Sequence, residues 1–207
     1  MKTTAFIFDI GNVLIDLDLP RLLKAISNHS RVNTEDIHKS WTLKDTIEVE
    51  TGKVDPKDHY ERYADSIGLK WDYDAWKKVW ADIYTINDNG MTIFFELKEK
   101  GFPVYLLSNL AEYNKEAIEM KFKDFFTLFS GNYFSYELGL HKPDPKIFLS
   151  VCSKINTSPE QCFFIDDLPE NVEGARSVGM QAIRFSRDRL YRVRFEIRKI
   201  LTVACLD

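Results

Sequence analysis

The feature that most restricts the fold is a short apolar run, Thr4-Ala5-Phe6-Ile7-Phe8, that ends in a carboxylate, Asp9, and then breaks at Gly11-Asn12. Phe and Ile in succession read as a strand covered on both faces, as in a parallel sheet. A carboxylate at the end of such a run is costly unless something pairs with it. Gly-Asn directly behind it suits a tight turn with unusual backbone angles. In open α/β sheets, ligands bind outside the carboxyl ends of the strands. Asp9 is therefore either a turn-capping residue or a functional group at a sheet edge.

The remainder of the chain supports such a sheet. From residue 91 helices and strands alternate, which predicts a parallel sheet flanked by helices, a Rossmann-like α/β fold. Strands are expected at residues 102–107, 127–131, 162–165 and 181–185, with helices between them. Val13 to Leu19 alternates in part with period two, which predicts a short hairpin after the first strand. Residues 18 to 88 carry helical signals and no convincing strand. Asp55-Pro56 and Asp72 are helix starts and Gly68 is a helix stop. The four tryptophans, Trp41, Trp71, Trp76 and Trp80, all lie in that segment. Such aromatic stripes usually form core. The expected organisation is an α/β core domain of residues 1–17 and 89–207, interrupted by an all-helical cap domain of residues 18–88 that hinges near its two joints.

Bulk properties exclude several roles. With 44% hydrophobic and 29% charged residues in 207, the chain is an ordinary globular protein. A net charge of −4 gives no case for nucleic acid or an anionic membrane as partner. The C-terminal Arg and Lys residues, from Arg187 to Lys199, share their segment with Leu190, Val193, Ile197 and Ile200 at helical spacing. They read as the solvated face of an amphipathic helix. No run approaches the roughly 20 apolar residues of a membrane span. Cys152, Cys162 and Cys205 make no CxxC pair and no zinc spacing, which fits buried thiols in a reducing cytoplasm.

Each expected strand end carries a polar group: Asp9 after the first, Ser108-Asn109 after the second, Asp166-Asp167 after the fourth. Between the third and fourth lies Gly139-Leu140-His141-Lys142-Pro143-Asp144-Pro145. In a parallel sheet these ends point the same way. Carboxylates so gathered repel one another unless a cation arrives. A hard, all-oxygen set suits Mg²⁺, and Ser, Asn and Lys beside it suit an anion such as phosphate. Each piece also has an ordinary structural use. Ser-Asn and Asp-Asp cap helices, Asn109 with Glu112 in particular, and Lys142 serves as a solvated loop charge.

Taken together, the four stretches Phe6-Ile7-Phe8-Asp9-Ile10-Gly11-Asn12-Val13, Leu106-Leu107-Ser108-Asn109, Gly139 to Phe148 and Phe164-Ile165-Asp166-Asp167 to Ala175 resemble the haloacid dehalogenase superfamily, in the branch with a helical cap after the first motif. Its sugar-phosphate phosphatases share the Asp-x-Gly-Asn-Val form. The resemblance implies a Mg²⁺-dependent phosphohydrolase acting on a small phosphorylated metabolite through an aspartyl-phosphate. It makes Asp9 nucleophile and metal ligand, with the Gly11 carbonyl, Asp167 and the nearby Asp166 as further ligands. Ser108, the Asn109 backbone and Lys142 would hold the phosphoryl oxygens. Asn171 stands where many relatives have a further Asp and would orient the Lys or a metal-bound water.

Gly11 departs from the pattern, because most phosphatases of this superfamily have a second Asp there to protonate the leaving group. General acid–base help is typically worth about 10²–10⁴-fold. Its absence points to a substrate that leaves easily, such as a sugar 1-phosphate, or to a proton from water or from Glu48 or Glu50 on the cap. The rival readings are a metal-independent 2-haloacid dehalogenase, which also lacks that Asp, and a binding protein of the same fold with little turnover. The paired Asp166-Asp167 argues against the first, since a metal-free site gains nothing from crowded carboxylates.

Overall fold

The computed structural model describes residues 3–40 and 42–204; the expectations that involve Trp41 and Cys205 lie outside them. The chain opens with β1 (Ala5–Phe8) and β2 (Ile15–Leu17). Helices α1 (Leu19–His29), α2 (Thr34–Ser40), α3 (Leu43–Glu50), α4 (Pro56–Ile67) and α5 (Tyr73–Ile83) follow. Then come β3 (Tyr84–Ile86), α6 (Asp88–Glu99), β4 (Val104–Ser108), α7 (Glu112–Lys121), β5 (Gly131–Phe134) and α8 (Ser135–Leu138). The chain continues through α9 (Pro145–Lys154), β6 (Cys162–Asp166), α10 (Pro169–Ser177), β7 (Gln181–Arg184) and α11 (Leu190–Ala204).

Five strands form a parallel sheet in the order β5-β4-β1-β6-β7. The first strand is thus the central one. Phe8 is level with Leu106 on one side and Ile165 on the other, so the residues just beyond share one edge. The strand is buried on both faces, as its composition requires. Phe6 and Phe8 join a large cluster that runs on into the helical segment, and Ile7 joins a second with Phe148, Val151 and Phe164 under α9 and α10. Each buried Phe or Ile contributes about 1.5–3 kcal/mol relative to exposure. At the C-terminus, α11 buries Val193 and Ile197 and exposes Arg192, Arg198 and Lys199, while the half-buried Arg194 pairs with Glu96 of α6.

Local signals place the ends of the helices between β2 and β3. Asp55 accepts from Lys57 and Asp58 N–H at 2.9 Å, Asp72 accepts from Ala75 N–H at 2.7 Å, and Thr42 with Asp45 forms a capping box. Such caps are worth about 1 kcal/mol each. Gly68 closes α4 at φ +67°. Trp76 is core: it stacks on Tyr60 at 5.1 Å and meets Trp80 and, on α7, Tyr113 edge-on. The ion pair Lys77–Glu116 at 2.9 Å ties α5 to α7 further, and the bond from Asn114 Nδ2 to Tyr84 Oη at 3.1 Å ties β3 to α7.

Three expectations are overturned. Residues 13–19 form no hairpin of their own. Only Ile15–Leu17 is extended, and it pairs antiparallel with β3, inside the stretch where no strand was expected. Three-residue strands leave too little alternation to read, and these two are partners far apart in sequence. The strand expected at 127–131 lies later, at β5. Phe125–Leu128 is a 3₁₀ turn that folds Phe125 and Phe129 against each other and Phe129 against Phe94.

Candidate active site

Because β4 and β6 flank β1, their ends bring Ser108 and Asp166 to either side of Asp9. Lys142 enters from the loop between α8 and α9. Its ammonium is 2% exposed as a residue and spends all three N–H donors on Asp9 Oδ1 (2.7 Å), Asp166 Oδ2 (2.7 Å) and the Leu107 carbonyl (3.0 Å). Ser108 Oγ donates to the same Asp9 Oδ1 at 2.9 Å. Asp9 Oδ2 receives no hydrogen bond from the described residues.

Asp166, fully buried, accepts from Leu168 N–H (2.9 Å) and from Asn171 Nδ2 at both oxygens (3.0 and 3.1 Å). Asn171 thus reaches Lys142 through Asp166. Asp167 is half-buried; its Oδ2 accepts from Asn12 Nδ2 at 3.1 Å, and its backbone carbonyl accepts from Arg184 Nε at 2.9 Å. Asn12 sits at φ +53°, which Asn tolerates better than most residues.

Carboxylate oxygens of Asp9, Asp166 and Asp167 lie within 4.8 Å of one another. One ammonium faces three carboxyl groups, so the cluster is short of positive charge. Burial pushes the Asp9 carboxyl up to about 7, against the pull of Lys142 and with the charges of Asp166 and Asp167 adding to the rise. Burial lowers Lys142, but Asp166 and Asp9 outweigh it and hold the ammonium above its ordinary value. Asp167 is raised, chiefly by burial. This donor set fits Mg²⁺: it is all oxygen, too negative by itself, and open at Asp9 Oδ2.

The position of Gly11 borders this opening. A Cβ there would lie 3.7 Å from Asp9 Oδ2 and 3.5 Å from Leu17 Cδ1, so the space for a second acid exists and ends on a methyl group of β2. Of the two carboxylates considered as alternative proton donors, Glu48 pairs with Lys44 (3.7 Å) and Glu50 is bound to His141 (2.9 Å). A cleft of about 680 Å³, lined in part by Asn12, Leu17, Asp167 and Arg184, opens beside the cluster. A larger one of about 1340 Å³ lies between β7 and α11 and includes none of the three carboxylates.

Asn109 does not cap α7 with Glu112. The helix begins after Ala111, whose N–H is taken by Asn114 Oδ1 at 3.2 Å. Asn109 instead brackets the Lys142 backbone, accepting its N–H at Oδ1 (2.9 Å) and donating Nδ2 to its carbonyl (3.0 Å). Close packing keeps this loop in place: a Cβ on Gly174 of α10 would stand 2.6 Å from the Pro143 carbonyl oxygen. Asn12, Glu50 and His141 are contacts the sequence reading missed as such. The first had a signal, an Asn in a tight turn behind a strand-end Asp; the other two meet across 91 positions and had none.

Three comparisons bear on this site. The sequence pattern of the haloacid dehalogenase-like hydrolases matches residues 3–179. The chain is 30% identical over 188 residues to the sesquiterpene phosphatase astK of Aspergillus oryzae, covering 88% of this chain and 89% of that protein. It is 23% identical over 192 residues to the D-ribitol-5-phosphate phosphatase of Bacteroides thetaiotaomicron, covering 86% and 89%. Among solved structures, a HAD family enzyme from Bacteroides thetaiotaomicron in complex with magnesium and inorganic phosphate superposes with a TM-score of 0.78 at 24% identity, over 89% of this chain and 94% of that one. That likeness is one of fold. The sequence match runs from before the first strand to beyond α10 and takes in every residue of the cluster, so the chain belongs to the haloacid dehalogenase-like hydrolases.

Proposed function

We propose that this protein is a Mg²⁺-dependent phosphatase that hydrolyses a small phosphorylated metabolite through an aspartyl-phosphate on Asp9. The observation that carries the reading is the asymmetry of the Asp9 carboxylate. One oxygen is held by Ser108 and Lys142 while the other takes no hydrogen bond from the described residues, and carboxylate oxygens of Asp9, Asp166 and Asp167 gather within 4.8 Å. Relatives named as phosphatases along most of their length support it.

In the first step an Asp9 oxygen attacks phosphorus and the ester P–O bond breaks, the departing alkoxide taking a proton from water. In the second, water attacks the phosphorus, inorganic phosphate leaves and Asp9 regains its carboxylate. Ser108 and Lys142 keep Asp9 oriented through both steps, and the Lys142 charge opposes the negative charge that develops. Ser108, the Asn109 backbone and Lys142 border the transferring oxygens. Asp9, Asp167 and the Gly11 carbonyl, with Asp166 close by, would hold Mg²⁺, which supplies charge neutralisation on the phosphoryl group.

Residues 1–17 and 89–207 act as the catalytic domain and residues 18–88 as a cap that shapes the leaving-group pocket. With no acid at Gly11, substrates with a good leaving group, sugar 1-phosphates first, are favoured. We place the protein in the cytoplasm, where the buried thiols of Cys152 and Cys162 would stay reduced. Among the described residues no helix is long and apolar enough to cross a membrane.

The test is a panel of sugar 1-phosphates, sugar 6-phosphates and a prenyl phosphate, the last because one relative is named a sesquiterpene phosphatase. Phosphate release should need Mg²⁺, stop with EDTA and vanish in Asp9→Asn. Release that survives EDTA would end the metal-dependent reading, and equal rates on 1- and 6-phosphates would end the leaving-group argument.

A further inference from the structure

We infer that Glu50 and His141 are positioning residues that seat the helical segment on the loop carrying Lys142 and so align that lysine when the segment is closed. Glu50 is the last residue of α3, and His141 directly precedes Lys142. Both side chains are about four-fifths buried, and His141 Nε2 lies 2.9 Å from Glu50 Oε2.

The partners determine where the protons are. A backbone N–H only donates, so the Asn109 atom facing Lys142 N is its oxygen, at 2.9 Å. The amide nitrogen is then the atom turned to the Lys142 carbonyl (3.0 Å) and to His141 Nδ1 (3.1 Å). An amide NH₂ has no lone pair to offer, so Nδ1 must be the bare, accepting nitrogen. The ring proton therefore sits on Nε2 and is donated to Glu50. A single run of hydrogen bonds leads from the helical segment to the catalytic lysine: Glu50, His141, Asn109, Lys142.

The seat is built from the other side as well. Gly52, at φ +66°, follows α3 so closely against α8 that a Cβ would stand 2.5 Å from the Tyr136 carbonyl oxygen. A side chain there would lift Glu50 away. When the segment opens, His141 loses its fixed ring orientation, and Asn109 Nδ2 loses one of its two acceptors. Alignment of Lys142 is in this way linked to closure.

The test rests on the phosphatase reading and uses p-nitrophenyl phosphate with Mg²⁺. Glu50→Ala and His141→Phe should each lower kcat about tenfold with KM within about threefold, the size expected when a catalytic group is displaced by a fraction of an ångström. The double variant should be no worse than either single one. His141→Gln, which offers one acceptor and one donor, should recover most of the rate. Additive losses, an unchanged kcat, or a Gln variant no better than Phe would overturn the proposal. Ring ¹⁵N NMR of the wild-type chain gives a readout independent of turnover and of whether His141→Phe folds. The Nε2–H form is expected, and an Nδ1–H form would overturn the assignment. A wild-type chain without turnover would defeat the phosphatase reading, whereas an active wild type with an Nδ1–H ring would overturn this proposal alone.

Discussion

The sheet edge and the helical segment between β2 and β3 treat polar groups differently. At the edge, Lys142 has an acceptor for each of its donors and Asp166 has donors at both oxygens. In the helical segment, Trp80 Nε1 is buried with no hydrogen-bond partner among the described residues, and rings packed edge-on and tilted against one another supply the cohesion. An unmet N–H costs about 1–3 kcal/mol. A region whose task is shape tolerates that cost; one whose task is to hold charge in register does not. The difference teaches which substitutions should be severe.

The largest effect is expected at Lys142. Lys142→Ala leaves Asp9 and Asp166 facing each other unneutralised. Stability measured by urea unfolding should fall by about 3–5 kcal/mol, the usual penalty for stranding a buried charge. Turnover should drop by on the order of 10³-fold or more. A loss under about 1 kcal/mol would erase the contrast between the two regions.

Next comes a gain. Gly11→Asp puts an acid where a Cβ already fits, and hydrolysis of sugar 6-phosphates should rise by about tenfold or more, toward the usual worth of general acid–base help. No gain would show that leaving-group protonation does not limit the rate.

A third effect separates the proton from the metal. Burial holds the Asp9 carboxyl near 7, above the 3.8 of an ordinary one, so the folded chain binds this proton more tightly than the unfolded chain. The stability this contributes is fully present below about pH 4 and is lost as pH rises through about 7. On the proposed function, Mg²⁺ would take the same carboxylate in its charged form. Thermal scans should therefore show a larger rise in Tm on adding Mg²⁺ near pH 8 than near pH 5. An equal rise at both would place the ion elsewhere.

The smallest effect is expected in the helical segment. Trp80→Phe removes the unmet N–H along with some ring area, and stability should change by less than about 1 kcal/mol with kcat/KM within about twofold. A penalty as large as that at Lys142 would mean that this region, too, depends on exact polar pairing.

Where the sequence was legible, the reason is physical. Asp9, Ser108 and Asp166 each end an apolar run, and an apolar run that stops on a polar residue marks a sheet edge whatever the loops do. Lys142 was legible from the prolines around it and from family resemblance, but not its burial. β3 was illegible because three residues show no period, and β5 because a run of Phe satisfies a turn as well as a strand. Asn109 was misassigned because a polar residue behind a strand is ordinarily a helix cap, and only the position of Lys142 makes it a bracket. Asn12 to Asp167 and Glu50 to His141 are long-range pairs, fixed by how elements pack rather than by neighbouring residues.

The pairing of β2 with β3 has one more consequence. Asp18 N–H bonds to the Ile83 carbonyl and Asn87 N–H to the Leu14 carbonyl, so the outgoing and returning chain run side by side where they meet the sheet. An excursion zipped shut at its base behaves like a cassette. A longer, shorter or differently built guest with the same two ends would leave the sheet edge in place, provided that it still carries a partner for His141.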